Sequence, residues 1–424
     1  MNRPAATVPA GRAERLALLA AAAAHFCLLC GYYMLRPLRE ALALVVGVEH
    51  YRWLFTTVLV VSTALLPVYW WLVRRTPRGR IMWYAGGSFA AVFLALAFGL
   101  YVRPRDPTLA FVYFVALTSG NLFIISVFWS AMADAWRPEL AKRFFGYIAA
   151  GGSLGALLGP NLVALSIHEI GPTPLIVIAC VFILFTGGLV SWARRTLRQA
   201  PGGERVPDGA IPVGGRAIDD LARLARTPYL LGIAGFIVAG QMIGAFMYNE
   251  QAEYVATHYI ELADRAALFA RMEFFVNILS LVFQAGVVGW LTRRGSVALS
   301  LSAMPVLIGV SFVVLALFPV GGVLLATQVI RRAADYGLGK APREMLFTVL
   351  NPESKFKSKS LIDTVLQRGA DSLGQWVYVL IAVLPLAGVA WLCAGLSVAL
   401  LGATRRLGKS FDSRHEKGEP GVRP

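Results

Sequence analysis

The chain has 424 residues, 57% of them hydrophobic and 15% charged, with Lys+Arg 40 against Asp+Glu 24 for a formal net charge of +16. A soluble protein of this size is about 25% charged, and disordered chains are far less apolar, so both classes are excluded. Four Cys (Cys27, Cys30, Cys180, Cys393) do not make a disulfide-stapled scaffold, and five scattered His make no dedicated metal site.

An apolar run of about 18 or more residues reads as a transmembrane helix, because the hydrocarbon core is about 30 Å thick. Residues 16–35 predict the first span. Arg3, Arg12 and Arg15 precede it like a secretory n-region. The apolar stretch nevertheless outruns an h-region of about 7–15 residues, so a retained span is expected. Further spans follow at 53–73, 81–102, 107–133, 144–167, 170–193, 229–249 and 274–292. Residues 295–330 are too long for one span and break at Pro319-Val320-Gly321-Gly322. Residues 374–404 split near Pro385. The expected total is twelve helices, the tenth and eleventh running on into charged sequence.

Basic residues gather in alternate loops. They include Arg74 and Arg75, Arg137 and Arg143, Arg194 and Arg195, Arg293 and Arg294, Lys355 and Lys357, and Arg405 and Arg406. The opposite loops hold acids such as Glu169, Glu253, Glu261 and Asp264. This alternation is the positive-inside pattern. It predicts a multi-pass inner (cytoplasmic) membrane protein with both termini cytoplasmic. The basic excess then sets topology and meets anionic lipid, and no nucleic-acid partner is expected.

Residues 194–228 form the only long polar segment between spans. Pro201-Gly202-Gly203 and Gly214-Gly215 mark it as a linker. Within it, Ile218, Leu221 and Leu224 share one helical face opposite Asp219, Asp220 and Arg223. That pattern suits the inner membrane surface better than a partner protein. The expected domains are residues 1–193, a linker at 194–228, residues 229–404, and a cytoplasmic tail at 405–424.

The halves echo each other. Trp71-Leu72-Val73-Arg74-Arg75 matches Trp290-Leu291-Thr292-Arg293-Arg294. Pro138-Glu139 followed by Ser153-Leu154-Gly155 matches Pro352-Glu353 followed by Ser372-Leu373-Gly374. Two six-helix repeats of this kind predict an all-α, major facilitator-type membrane protein.

In that arrangement helices 1, 4, 7 and 10 line the cavity, and the intramembrane charges follow suit. Helix 1 carries Arg36, Arg39 and Glu40; helix 4 carries Asn121 and Asp134; helix 7 carries Gln241, Asn249 and Glu250; helix 10 carries Arg331, Arg332 and Asp335. Counting outward from the turn near Pro352 puts Asp335 level with Arg368, and Arg332 level with Asp371. Two cross-helix ion pairs are expected there. They leave Arg331 as a spare cation suited to an anion, since Arg clamps phosphate with paired N–H donors. The plainer alternative is that these charges only hold helices together. On helix 1, Tyr32, Tyr33, Arg36 and Arg39 read equally as an interfacial belt or as a ligand lining. Gly146, Gly151, Gly152, Gly155 and Gly159 on helix 5 read as close helix packing. No Walker Lys-Ser/Thr follows them, which argues against a phosphate loop.

Several segments resemble one family. Tyr33-Met34-Leu35-Arg36-Pro37-Leu38-Arg39-Glu40-Ala41-Leu42 resembles the first-helix pattern of the nucleotide transporters, the ATP/ADP translocases of plastids and intracellular bacteria. Phe128-Trp129, Asp134 and Ala141-Lys142-Arg143-Phe144 resemble the fourth-helix signature. Arg343-Glu344-Met345, Lys357-Ser358-Lys359 and Ile362-Asp363 resemble the block between helices 10 and 11. The resemblance implies transport roles for Arg39, Asp134, Glu250, and either Arg343 or Lys359. Arg stands where the family has Lys on the first helix, and Asp134 stands where it has Glu. A planar fork in place of a point charge alters ligand choice.

The expected function is secondary active transport, with two halves rocking around a central cavity. The cargo is a nucleotide or another phosphorylated or anionic metabolite, moved by exchange or ion coupling. Candidate substrate-binding residues are Tyr33, Arg36, Arg39, Asn121, Asp134, Glu250, Arg331, Arg343 and Lys359. Arg39, Arg331 and Arg343 would hold the anion, and Asp134 and Glu250 would gate or carry a coupling proton. Arg332, Asp335, Arg368 and Asp371 are the expected structural ion pairs. No cofactor or metal is expected, and no nucleophile–base pair suggests an enzyme. The alternatives are an exporter of hydrophobic or cationic solutes and a non-transporting receptor or scaffold.

Overall fold

Helix starts and stops follow the proline and glycine punctuation of the chain. A computed structural model describes residues 11–76, 79–198, 228–288, 290, 297–346 and 365–416. Helix α1 (Arg12–Val46) ends at Gly47, whose φ of 97° only glycine adopts easily. A single 3-10 turn (Val48–His50) leads into α2 (Tyr51–Arg75), and α3 (Ile81–Val102) follows. Asp106 caps α4 (Pro107–Ala135). Its carboxylate accepts from the Thr108 amide at 2.8 Å and the Leu109 amide at 3.1 Å, with Pro at the first helical position. Helix α5 (Pro138–Ile170) stops at Gly171, φ 76°, and α6 (Pro172–Arg198) begins at once.

The second half holds α7 (Pro228–His258) and α8 (Leu262–Val282), the latter continuing as a π-helical turn (Phe283–Val288). Helices α9 (Val297–Leu317) and α10 (Gly321–Ala334) meet at the expected Pro-Val-Gly-Gly break. A second π-helical turn (Asp335–Gly339) carries α10 on into Lys340–Leu346. Helix α11 (Gln367–Ile381) and α12 (Leu386–Glu416) part at Pro385. Among the described residues ten helices are long and apolar enough to cross a membrane. Helix α10 falls short of that test through its charges, Arg331, Arg332 and Asp335, and α11 because its described helix is too short. The described residues are overwhelmingly helical and include no strand.

Apolar side chains also cover the outside. Phe98 is 70% exposed, Leu165 76%, Val398 69% and Val383 85%. A water-soluble surface rarely leaves so many large apolar groups open. A hydrocarbon solvent has no such objection.

The chain divides into two compact units, Met1–Glu40 with Leu65–Ala210, and Ala41–Ala64 with Ile211–Pro424. The end of α1 and the first half of α2 therefore cluster with the second unit. In the first unit α3 packs on α6 and α4. In the second, α9 packs on α12, α7 on α11 and α12, and α10 on α8 and α9. Phe246, Phe312, Leu315 and Val389 are among the buried side chains of that second core.

Small residues let particular backbones touch. A Cβ on Gly151 would strike the carbonyl oxygen of Ala22, and one on Gly155 that of Phe26. One on Gly159 would sit 2.5 Å from the Cys30 oxygen. Helix α5 thus lies backbone-to-backbone along α1, as the glycine spacing implied. On another face of α1, Gly31 would place a Cβ 2.6 Å from the Ala179 oxygen of α6. In the second unit a Cβ on Gly374 would lie 2.7 Å from the Ala245 Cβ, wedging α11 off α7. Gly155 and Gly374 end the repeated Ser-Leu-Gly. The repeat therefore marks one packing device used once in each half.

Candidate functional site

In the first unit the polar residues collect where α1 faces α4. Arg39 is 8% exposed. Its Nη1 donates to Thr118 Oγ1 at 3.1 Å, its Nη2 pairs with Glu40, and its Cζ lies 5.0 Å from the Phe114 ring centroid. The Thr118 hydroxyl donates to the Phe114 carbonyl at 2.7 Å, so the threonine is itself held. Arg39 is thus locked to α4 rather than presented as an open fork. Arg36, one turn earlier, lies over the Tyr33 ring at 5.6 Å, and Tyr33 meets Tyr32 edge-on at 5.3 Å. Asn121 follows Thr118 by one turn. Its Oδ1 is buried and has no hydrogen-bond partner among the described residues. An unsatisfied buried carbonyl of this kind costs about 1–3 kcal/mol, so it marks either a ligand contact or a stored strain. Asp134 lies half-buried near the end of α4, apart from this group.

Phe128-Trp129 does packing work. Phe128 stacks on His25 at 4.7 Å, Trp129 meets the same ring edge-on, and His25 Nδ1 lies 2.9 Å from the Ile148 carbonyl oxygen. The motif ties α4 to α1 and α5.

In the second unit three polar rungs join α7 to α11. Gln241 Nε2 donates to Asp371 Oδ1 at 2.7 Å, Asn249 Nδ2 to Gln375 Oε1 at 2.7 Å, and Tyr378 OH to Glu250 Oε1 at 2.9 Å. Arg368 Nη1 lies 3.4 Å from Asp371 Oδ2, one turn away on the same helix. Arg331 enters from α10. Its Nε donates to Gln328 Oε1 at 2.7 Å, and its guanidinium rests against Gly244, where a Cβ would come within 3.2 Å of Nη1. Asp335 and Asp371 lie near it. Even so, Arg331 makes no ion pair among the described residues. Its anchoring partner is a neutral amide. The amide nitrogen of that Gln328 is buried without a partner among the described residues.

The expected ion pairs are corrected here. Arg332 pairs with Glu273 of α8, not Asp371, and Arg368 pairs with Asp371, so Asp335 and Arg368 do not form the expected bridge. The depth count assumed regular α-helix on both sides of Pro352. The π-helical turn at Asp335–Gly339, and another at the start of α11, shift that register. Glu273 was missed because its charge served to delimit the eighth span at Phe274. The helix in fact starts at Leu262 and buries Glu273 to 1%. Thr118, Gln328 and Tyr378 were also missed, since neutral polar residues inside apolar runs look like filler.

Arg343 is half-buried on the continuation of α10, whose last residue, Leu346, accepts from the Tyr229 hydroxyl at 2.9 Å. Lys359, the amphipathic stretch 216–226, and most of the linker lie outside the described residues.

No family model matches the chain. The ADP,ATP carrier protein 1 of Chlamydia pneumoniae is 23% identical over 318 residues, covering 65% of this chain and 61% of that protein. The chain thus aligns with about three fifths of that relative's length. Among solved structures, a peptide transporter in complex with sulfate matches with a TM-score of 0.62 at 16% identity, covering 93% of this chain and 95% of that one. A bacterial homologue of the human lysosomal transporter Spinster, inward-facing and unoccupied, matches at 0.57 and 15% identity, covering 96% and 94%. A D-xylose–proton symporter matches at 0.58 and 13% identity, covering 93% and 97%. Two lines therefore meet: described residues that are overwhelmingly helical, with a buried arginine on α1 and half-buried ones on α10, and transporter structures that follow the chain nearly end to end. The chain is a multi-pass membrane protein with the fold of those transporter structures, and it is similar in sequence to the chlamydial ADP,ATP carrier.

Proposed function

We propose that the protein is a secondary transporter that moves a nucleotide or another phosphorylated or anionic metabolite by alternating access, through exchange or ion coupling. The observation that carries this reading is Arg331. It is a half-buried cation on α10, held by Gln328 and by no ion pair among the described residues. Such a charge is costly in a membrane and is kept where it meets a ligand or a partner. The sequence likeness to an ADP,ATP carrier supports a phosphorylated cargo.

Arg331 and Arg343 hold the anion in the second unit. Arg36 and Tyr33 supply a cation and a ring in the first, with Arg39 positioned by Thr118 beside them and the Asn121 amide oxygen open to a donor. Asp134 and Glu250 gate or carry a coupling proton. Glu250 is suited to that task because Tyr378 gives it a partner across the helix pair. Lys359 completes the set from the block between α10 and α11.

The test is uptake into proteoliposomes. Labelled ATP, ADP and a sugar phosphate are offered with and without preloaded counter-substrate and a pH gradient. Saturable flux stimulated by preloading is expected. A hydrogen bond to a charged group contributes about 1.5–3 kcal/mol, so Arg331→Gln should weaken apparent affinity about 10- to 150-fold. Flux of a hydrophobic cation, with none for any phosphorylated solute, would overturn the proposal.

A further inference from the structure

Four arginines converge on the outer surface of the first unit, where α3 begins and α6 ends. Arg80, Arg194, Arg195 and Arg198 line an open groove of about 420 Å³, with Trp83 and Tyr84 beside them. The groove has a fixed floor. Trp83 Nε1 donates to Ser191 Oγ at 2.9 Å, and the Ser191 hydroxyl donates to the Gly187 carbonyl at 2.8 Å. A Cβ on Gly187 would lie 3.0 Å from the Trp83 ring, so that glycine lets the indole lie flat on α6. Among the described residues no acid lines the groove. Residues 50–105 and 170–203, which contain both of its walls, hold no Asp or Glu at all. Helix α3 starts at Arg80 without a side-chain cap, so the amides of its first turn add positive potential there.

Topology alone requires basic residues at this face. It does not require them to surround one groove with two aromatic rings. Arg405 and Arg406 on α12 are exposed, as Arg80, Arg195 and Arg198 are, but they are not among the residues lining this groove. From the groove, exposed apolar side chains continue along both helices, with Val92 and Phe98 on α3 and Phe185 and Val181 on α6. Cations at the membrane face, indole and phenol at the interface, and an apolar track into the hydrocarbon match an amphiphile with an anionic head.

We propose that this groove binds the headgroup phosphate of an anionic phospholipid of the surrounding bilayer, with the acyl chains laid along α3 and α6. Guanidinium forks give the phosphodiester paired N–H donors. Basic pockets between spans at this face are suited to such heads.

The experiment is thermal unfolding of the delipidated full chain in mild detergent, titrated with phosphatidylglycerol, phosphatidylcholine, inorganic phosphate or ATP. Phosphatidylglycerol is expected to raise the melting temperature and phosphatidylcholine to leave it unchanged. Each arginine near an anionic surface contributes enough that the double variant Arg80→Gln/Arg195→Gln should need about thirtyfold more phosphatidylglycerol for the same shift. Arg405→Gln/Arg406→Gln should titrate as the parent does. An unchanged midpoint in the groove variant would overturn the proposal. So would equal, groove-dependent stabilisation by inorganic phosphate or ATP, which marks a soluble-anion site. If the groove variant does not fold, photoactivatable phosphatidylglycerol on the parent protein decides the matter. Label within residues 79–84 or 191–198 supports the site; label only elsewhere sinks it.

Discussion

Replacing Glu273 with Gln should be among the most damaging single changes in the second unit. Glu273 is 1% exposed and its partner Arg332 12%. The substitution keeps the shape of the side chain and removes one charge, leaving the arginine cation buried with a weaker acceptor. Breaking a buried pair from one side costs about 3–5 kcal/mol. For a cooperative unit of about 200 residues, each kcal/mol moves the midpoint about 2–4 °C, so a fall of roughly 6–20 °C is expected. The double variant Glu273→Gln/Arg332→Gln removes both charges and should recover at least half of that loss. Asp335→Asn, one turn further along α10, breaks no ion pair and should cost far less. The assay is fluorescence-detected thermal unfolding in detergent at one scan rate. The reasoning fails if Glu273→Gln shifts the midpoint by under about 2 °C, or if the double variant is as damaged as the sum of the two singles.

Other expectations test other parts of the fold and site. Gly155→Ala should destabilise by about 1–3 kcal/mol because its Cβ meets the Phe26 backbone, whereas Gly146→Ala, with nothing within 4 Å, should stabilise by about 0.5–1 kcal/mol; unfolding midpoints compare the two. Asp106 lies outside the spans, and the Leu109 amide foremost, with the Thr108 amide and Arg103, lowers its carboxyl below the ordinary 3.8. A depressed folded value means the cap stabilises fully above the unfolded value and fades as pH falls through the folded one. The stability difference between the parent and Asp106→Ala should therefore be flat at neutral pH and shrink in acid, as read from midpoints across a pH series. Tyr378→Phe removes the donor to Glu250 and should alter the pH profile of transport more than the unfolding midpoint. Arg331→Lys keeps the charge and loses the fork, so it should retain more transport than Arg331→Gln yet less than the parent.

Much of this architecture was legible from chemistry that operates locally. Pro319-Val320-Gly321-Gly322 and Pro385 stop helices because proline lacks a donor and glycine yields to the turn, and both breaks lie where expected. The Ser-Leu-Gly repeat was legible as a pattern, though not as the glycine contact that explains it. What depended on register was lost. Cutting spans at charges ends the first span at Leu35 and leaves Glu273 outside its helix. The structure runs α1 on to Val46 and sets Arg39 well inside it. Cross-helix pairing needs depth, depth needs the helical pitch, and the π-helical turns change the pitch without any distinctive composition. The expectation of Arg331 as a spare cation comes from a count that omits Glu273; in the structure Arg331 is held by Gln328, with Asp335 nearby.

The π-helical turn in α10 also has an angular consequence. Arg331 and Arg343 are twelve positions apart. On an uninterrupted α-helix, at about 100° per residue, they would project about 120° apart. The turn at Asp335–Gly339 takes up one residue. The pair then behaves as eleven positions, and its projections close to about 20°. Wound as regular α-helix throughout, the same twelve positions would swing Arg343 about 100° around the axis, whereas deleting one residue from the turn would leave the pair aligned. One residue of slack keeps the two guanidinium groups in single file.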